Sequence, residues 1–366
     1  MNPVHRGAAG ARSFRVLLVD DVATVRRLLV DALSNDPAIE VVGTAADGRI
    51  ALARIPEVQP DLVVLDLEMP LMDGLETLAE VRRQWPDLPV IVFSSLTRHG
   101  AESTLRALWL GANDYVPKPS GAGVSASLVH IRTELIPRIK ALCLAARHEP
   151  APPAPMRLPM SASSADRMRP EIIAIASSTG GPRALAAVLG GLDPGFPVPI
   201  VVVQHMPPVF TRHLAEGLDG RIALPVSEAQ HGDVLTPGRV LIAPGGRHTK
   251  LVADGARVRV RLDDGPPENG CRPSADPLLR SLAEVYGPTA LALVLTGMGH
   301  DALAGCQRVR ARDGRVLVQD RESSVVWGMP GVVAAAGLAE AVLPLDQIAG
   351  ELNRRARSSG APRAAA

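Results

Sequence analysis

Aromatic residues are scarce, at 2% of 366 residues. The core must therefore be aliphatic, and aromatic platforms for stacking nucleic-acid bases are not expected. Net charge is also nearly absent: 39 Lys and Arg against 38 Asp and Glu leave a formal charge of +1. That balance argues against a nucleic acid or an anionic membrane as the main partner. The three cysteines, Cys143, Cys271 and Cys306, are too few and too scattered for a disulfide framework or a Cys-based zinc site, and fit a reducing compartment. No apolar run reaches the length of a membrane span, so no membrane insertion is expected. Residues 1–13 carry Arg6 and Arg12 without the apolar stretch and cleavage site of a signal peptide, and a cytoplasmic protein is expected.

What the chain has is aliphatic residues in quantity: the hydrophobic fraction is 46% and the charged fraction 21%, a globular composition. Its length suggests two or three domains at roughly 100–200 residues each. Residues 148–170 hold six prolines interspersed with Ser and Ala. Such a segment favours extended backbone, and it marks the domain boundary.

Before that linker, apolar runs at 15–19, 39–43, 61–65, 89–93 and 113–116 alternate with amphipathic stretches at 23–34, 47–55, 74–84, 101–110 and 125–146. Five such repeats predict a (βα)5 domain with a parallel sheet covered on both faces. After it, strands are predicted at 171–176, 198–203, 240–244, 258–262, 290–296 and 314–319, with helices at 181–192, 209–220 and 274–287. This is a second α/β domain, doubly wound and mainly parallel, with antiparallel pairs allowed within 225–262. Residues 354–366 (RRARSSGAPRAAA) read as a disordered tail.

Ligands of open α/β sheets bind outside the carboxyl ends of the strands. Asp20 and Asp21 end the first strand and Asp66 ends the third. Together they form a hard oxygen site suited to Mg²⁺. Ser94 ends the fourth strand and Lys118 follows the fifth. Carboxylates, metal, hydroxyl and lysine can together direct a phosphoryl group onto Asp66. Asp21 alone, before VATVRRLL, would read as a helix N-cap.

These residues lie in LLVDD (17–21), PDLVVLDLEMPLMDGLETL (60–78), VIVFSSLTRHGAESTLRAL (90–108) and GANDYVPKPS (111–120), which resemble a response-regulator receiver domain over residues 14–140. The resemblance implies that Asp66 is the phosphoacceptor, that Asp20, Asp21 and Asp66 hold Mg²⁺, and that Lys118 contacts the phosphoryl group. Ser94 and Tyr115 match the switch positions, and a histidine kinase would be the phosphodonor.

In the second domain, Ser177, Ser178, Thr179, Gly180 and Gly181 fill a strand-to-helix turn. A hydroxyl there is exposed beside free backbone N–H groups, or simply caps the helix. The turn has neither the GxSxG elbow nor the Gly-Lys-Ser/Thr of a phosphate loop. His205 follows the strand 198–203, and Asp301 lies in a Gly-rich loop after 290–296; His213, His231, His248 and His300 compete for a base role. Ser178, His205 and Asp301 together follow the logic of a Ser–His–Asp site, in which the imidazole takes the serine proton and the carboxylate fixes its tautomer.

The segments SSTGG, QHMPPVFT, APGGRHTKL, CRPSADPLLRSLA, LTGMGHDAL and QDRESSVVWGMPGVV resemble the catalytic domain of the chemotaxis protein-glutamate methylesterase, or CheB, family over residues 171–350. The resemblance implies Ser178 as nucleophile, His205 as base and Asp301 as orienting acid. Thr179 and Met298 would line the site, the Met298 N–H facing the oxyanion. It further implies a serine esterase that needs no cofactor for ester hydrolysis. Its reaction would be the demethylation of chemoreceptor glutamates and the deamidation of receptor glutamines. Two positions depart from the family pattern: Ala176-Ser177 stands where Gly-Ala is usual, making Ser177 a rival hydroxyl, and Ala302 stands where Gly often follows the acid. A receiver driving a DNA-binding output fits poorly, because residues 171–366 carry 20 Lys and Arg against 19 Asp and Glu. A non-catalytic scaffold would have no need of the three site residues.

Overall fold

A computed structural model describes residues 13–119, 123–147 and 168–357. They form two units, each with its own parallel sheet.

Along the chain up to residue 117, strands β1 (Phe14–Val19), β2 (Ile39–Ala45), β3 (Leu62–Leu65), β4 (Val90–Ser94) and β5 (Asp114–Pro117) alternate with helices α1 (Ala23–Leu33), α2 (Gly48–Val58), α3 (Gly74–Gln84) and α4 (Arg98–Leu110). Helix α5 (Val124–His130) passes through a π segment, Ile131–Leu135, into α6 (Ile136–Arg147). The strand order is β2-β1-β3-β4-β5, so the winding reverses between β1 and β3. Burial explains the unbroken apolar runs: every residue of β3 and β4 is buried, as parallel strands covered on both faces must be. Helix α3 begins with a capping box, in which Asp73 accepts from the Glu76 N–H and Glu76 accepts from the Asp73 N–H.

The second unit contains β6 (Ile172–Ser177), α7 (Gly181–Gly190), β7 (Ile200–Gln204), α8 (Pro208–Asp219), β8 (Val226–Glu228), β9 (Val240–Ile242), β10 (His248–Asp254) and β11 (Arg257–Asp263). It continues with α9 (Ala275–Tyr286), β12 (Ala290–Val294), α10 (Leu303–Ala311), β13 (Arg315–Gln319), α11 (Met329–Ala335), β14 (Ala341–Leu343) and α12 (Leu345–Arg357). Seven parallel strands run in the order β14-β13-β12-β6-β7-β9-β8, with β10 and β11 forming a separate antiparallel ribbon. β6 has β12 on one side and β7 on the other, which brings the loops after these three strands to the centre of the carboxyl edge. The core of each unit is mainly aliphatic, as the scarcity of aromatics requires; among the described residues the largest fully buried side chains are Phe93 in the first unit and Phe196 and Phe210 in the second.

Both sheets match the α/β expectation, and the antiparallel pairing allowed within 225–262 is the β10–β11 ribbon. One boundary needs correction. Residues 354–357, read as the start of a disordered tail, are the last turn of α12. Arg355 there is buried and ion-paired to Glu340 at 2.6 Å and Glu351 at 2.7 Å, which holds the end of the helix on the sheet. Most of the Pro-rich segment, 148–167, and residues 358–366 lie outside the described residues.

Candidate functional sites

In the first unit, the β1 and β3 ends bring Asp20, Asp21 and Asp66 together, with one carboxylate oxygen from each lying within 4.8 Å of the others. Asp20 and Asp66 are buried and Asp21 is exposed. Lys118 Nζ lies 2.9 Å from Asp20 Oδ2 and 2.7 Å from Asp66 Oδ2. Burial pushes the Asp66 carboxyl up to about 6, against the pull of Lys118. Burial also works against the Lys118 charge, but the two carboxylates outweigh it and raise its pKa. The other Asp66 oxygen, Oδ1, accepts from the Leu67 N–H at 2.8 Å. Ser94 is buried at the same edge, and its carbonyl accepts from the Lys118 N–H at 2.7 Å. Tyr115 is buried on β5, and desolvation raises its phenol pKa. Three converging carboxylates with a single lysine make a hard-oxygen donor set of the kind Mg²⁺ takes, so the residues fit the ion that a receiver domain binds.

In the second unit, Asp301 Oδ2 lies 2.7 Å from His205 Nε2. Asp301 is buried, and four further donors surround it. Ala275 N–H reaches Oδ2 at 2.7 Å; Ser274 Oγ, Asn269 Nδ2 and Asp276 N–H reach Oδ1 at 2.7, 2.9 and 3.3 Å. Burial opposes the Asp301 charge, yet His205 and these donors hold its carboxyl well below the usual carboxylate range. Burial likewise opposes a charge on His205, but Asp301 and Cys271 raise it to about 9. With Nε2–H donating to Asp301, Nδ1 is the free acceptor of the neutral ring. Nδ1 lies 3.6 Å from Cys271 Sγ.

Three of the four rival histidines are engaged elsewhere. His213 pairs with Glu216 one helical turn away at 3.0 Å. His231 Nδ1 accepts from the Leu262 N–H. His248 is buried between Pro266 O and the Ser274 N–H. His300 is exposed.

The serines separate as clearly. Ser177 is fully buried, faces Gln204 across the β6–β7 register and donates to Gln204 Oε1 at 2.7 Å. Gln204 Nε2 in turn donates to Ser178 O at 2.9 Å. Ser178, one residue past β6, is half-buried. Its N–H donates to Thr296 O at 3.0 Å, and the His205 N–H donates to Ser177 O at 3.1 Å. The turn therefore sits between the loops that carry His205 and Asp301. Thr179 is buried, and its carbonyl accepts from Thr296 Oγ1 at 2.9 Å.

Gly297, before the half-buried Met298, must be glycine: a Cβ there would lie 2.9 Å from Ser178 Cβ and 2.5 Å from Met329 Sδ. Its carbonyl accepts from the Gly328 and Met329 N–H groups, so the WGMPG segment props the Met298 loop against the serine. Gln204, Asn269, Cys271 and Ser274 were not singled out from sequence. The signals for the latter three lie in ENGCRPSAD: an Asn-Gly turn and a serine at the N-cap of α9.

Fold and sites together define a two-domain signalling hydrolase, in which a receiver unit precedes an α/β catalytic unit. The CheB methylesterase family model matches residues 173–352, and the response regulator receiver domain model matches residues 16–128. The chain is 49% identical over 347 residues to the "Protein-glutamate methylesterase/protein-glutamine glutaminase" of Trichodesmium erythraeum, covering 93% of this chain and 99% of that one. It is 49% identical over 349 residues to the protein of the same description from Nocardioides sp., covering 93% and 95%. Among solved structures, the catalytic domain of Thermotoga maritima CheB methylesterase is 43% identical, with a TM-score of 0.50, covering 51% of this chain and 99% of that domain. The chain belongs to the CheB methylesterase family and carries that family's receiver and catalytic domains in one polypeptide.

Proposed function

We propose that this protein hydrolyses γ-methyl esters of glutamate on chemoreceptors, deamidates receptor glutamines to glutamate, and is switched by phosphorylation of Asp66. The observation that carries the reading is the His205–Asp301 pair beside a half-buried Ser178, at the centre of the carboxyl edge of the second sheet.

Ser178 Oγ attacks the ester carbonyl carbon while His205 Nδ1 takes its proton, and Asp301, ionised throughout, stabilises the imidazolium through Nε2–H. The carbonyl electron pair moves to oxygen. Thr179 and the Met298 N–H line the site where that oxyanion forms. The oxyanion collapses, the ester C–O bond breaks, and methanol leaves with the proton from His205. Water, deprotonated by His205, then attacks the acyl-serine and releases glutamate. A side-chain amide passes through the same tetrahedral geometry and loses ammonia instead of methanol. Every proton in this scheme is held by the protein or water, so the esterase step is assigned no metal.

In the receiver unit, Asp20, Asp21 and Asp66 would hold Mg²⁺, which neutralises charge on the transferring phosphoryl group. Lys118 would contact that group once it is on Asp66, and Ser94 and Tyr115 would report the change. The phosphodonor in this reading is a histidine kinase, and both it and the receptor helices place the enzyme in the cytoplasm. Among the described residues, no helix is long and apolar enough to cross a membrane.

The test is release of methanol from membranes carrying methylated receptors. The wild type is expected to release it and Ser178→Ala to release none. A folded Ser178→Ala protein with near-normal turnover would overturn the assignment.

A further inference from the structure

The segment Glu268–Ser274 makes contacts that the reaction scheme does not use. Glu268 and Cys271 exchange backbone hydrogen bonds of 3.1 and 2.9 Å, closing a two-residue hairpin. Its central residues, Asn269 and Gly270, have φ of 53° and 74°. Both positive values mark a type I′ turn, for which Asn-Gly is the preferred pair. Arg280 on α9 anchors the hairpin through both Glu268 carboxylate oxygens at 2.8 Å. The turn aims the Asn269 carboxamide inward. Its Nδ2 lies 2.9 Å from Asp301 Oδ1 and 2.8 Å from Asp276 Oδ2. One NH₂ group thus donates one hydrogen bond to each of two neighbouring buried carboxylates. Asp276 is fixed from its other oxygen by the Gly305 N–H at 2.7 Å.

We infer that Asn269 is a positioning residue for hydrolysis: by bridging Asp301 and Asp276 it fixes the Asp301 carboxylate, and through it the orientation of His205. The inference rests on reading Ser178, His205 and Asp301 as one hydrolytic site. A carboxylate in a buried site keeps its charge only while donors surround it, and its direction only while they are fixed. Backbone N–H groups and Ser274 supply three of the four donors besides His205. Asn269 is the one that also separates Asp301 from a second carboxylate, whose repulsion would otherwise turn it. Removing it leaves the His205–Asp301 pair formed but less well aimed, so the loss falls on kcat and not on substrate binding.

The substitution Asn269→Gly isolates the side chain, because glycine keeps the left-handed backbone of the turn. In methanol-release assays on the full-length protein, Asn269→Gly is expected to lower kcat by about 10- to 100-fold, part of the roughly 10²–10⁴-fold that a positioned acid–base group supplies. KM should stay within about twofold, since uniform binding is untouched. Asn269→Asp, which sets a third carboxylate in the cluster, should lose more. A second measurement reads the pair without turnover. NMR titration of the His205 imidazole, assigned by its absence in His205→Gln, should move to higher pH in Asn269→Gly, because Asp301 has lost a donor that shared its charge. Thermal unfolding of each variant separates these effects from loss of fold. A folded Asn269→Gly with wild-type kcat and an unmoved His205 titration overturns the role of Asn269. If Ser178→Ala is silent in the same assay, the hydrolytic reading survives that result; if the wild type itself releases no methanol, both fall.

Discussion

His205 meets Asp301 through Nε2, at 2.7 Å, and turns Nδ1 toward Cys271 and away from the carboxylate. The ring nitrogen available to a nucleophile is therefore Nδ1. The thiol is a weak hydrogen-bond donor, and its 3.6 Å contact with Nδ1 is one that a serine hydroxyl would replace in the proposed reaction.

The same pair sets a pH dependence. The base must be neutral to accept a proton, and the protein raises the His205 pKa to about 9. Esterase activity should accordingly climb as pH rises toward 9. Asp301→Asn removes the charge that holds the imidazolium, so the limb should move to lower pH. The maximal rate should nonetheless fall by about 10⁴-fold, the scale seen when a triad aspartate is replaced, because the asparagine favours the wrong tautomer. A pH–rate profile of both proteins checks this; a limb that stays in place would separate Asp301 from the titration.

Ser177 and Ser178 should fail in different ways. Ser178→Ala should abolish methanol release while the unfolding midpoint stays near that of the wild type. Ser177→Ala strips Gln204 Oε1 of its partner in a fully buried setting. An unsatisfied buried acceptor costs about 1–3 kcal/mol, so this variant should lose stability and keep measurable turnover. Denaturant unfolding alongside the assay distinguishes the two, and the reverse pattern would move the nucleophile to Ser177.

The receiver pocket predicts proton–metal competition. Burial raises the Asp66 carboxyl to about 6, so Mg²⁺ binding should weaken as pH falls through that range and the carboxylate takes up a proton. Calorimetry at pH 5.5 and 7.5 would read this directly. A small phosphodonor with Mg²⁺ should change esterase activity in the wild type and leave Asp66→Asn unaffected. An equal response in that variant would detach the receiver from the switch.

The receiver site was legible because Asp20 and Asp66 sit at the ends of strongly apolar strands and Lys118 follows the short strand β5 at the same edge. The catalytic strands β6, β7 and β12 were legible for the same reason. Much of the rest depends on contacts far apart in sequence. Which of two adjacent serines is buried depends on the β6–β7 register that puts Ser177 against Gln204. The cradle of Asp301 joins residues 25 to 32 positions away, one from a hairpin marked by Asn-Gly and three from the N-terminus of α9, marked by its serine cap. Strands β10 and β14 and helices α10 and α11 carry short or mixed patterns and take shape only by pairing or packing, whereas α12 does carry an apolar stripe, with Ile348, Ala349, Leu352 and Ala356 buried.

Ala302 tests how far the site tolerates the residue that follows the acid. Its φ is 77°, in the left-handed region that favours glycine, and its methyl group is fully buried in the core. Holding an L-residue there costs about 1–2 kcal/mol. Glycine would remove that strain, but it would give up a buried methyl worth about 0.8 kcal/mol. It would also add about 0.4–1 kcal/mol of unfolded-chain entropy to be lost on folding. The terms nearly cancel, so Ala302→Gly should leave stability within about 1 kcal/mol of the wild type. Ala302→Val meets both problems at once, a β-branched residue at positive φ and extra volume in a filled core, and should cost about 3 kcal/mol or more. Denaturant midpoints of the two variants decide the matter. A large gain from glycine would mean that backbone strain outweighs packing at this turn, and a tolerated valine would mean that the loop carrying Asp301 can shift without loss of fold.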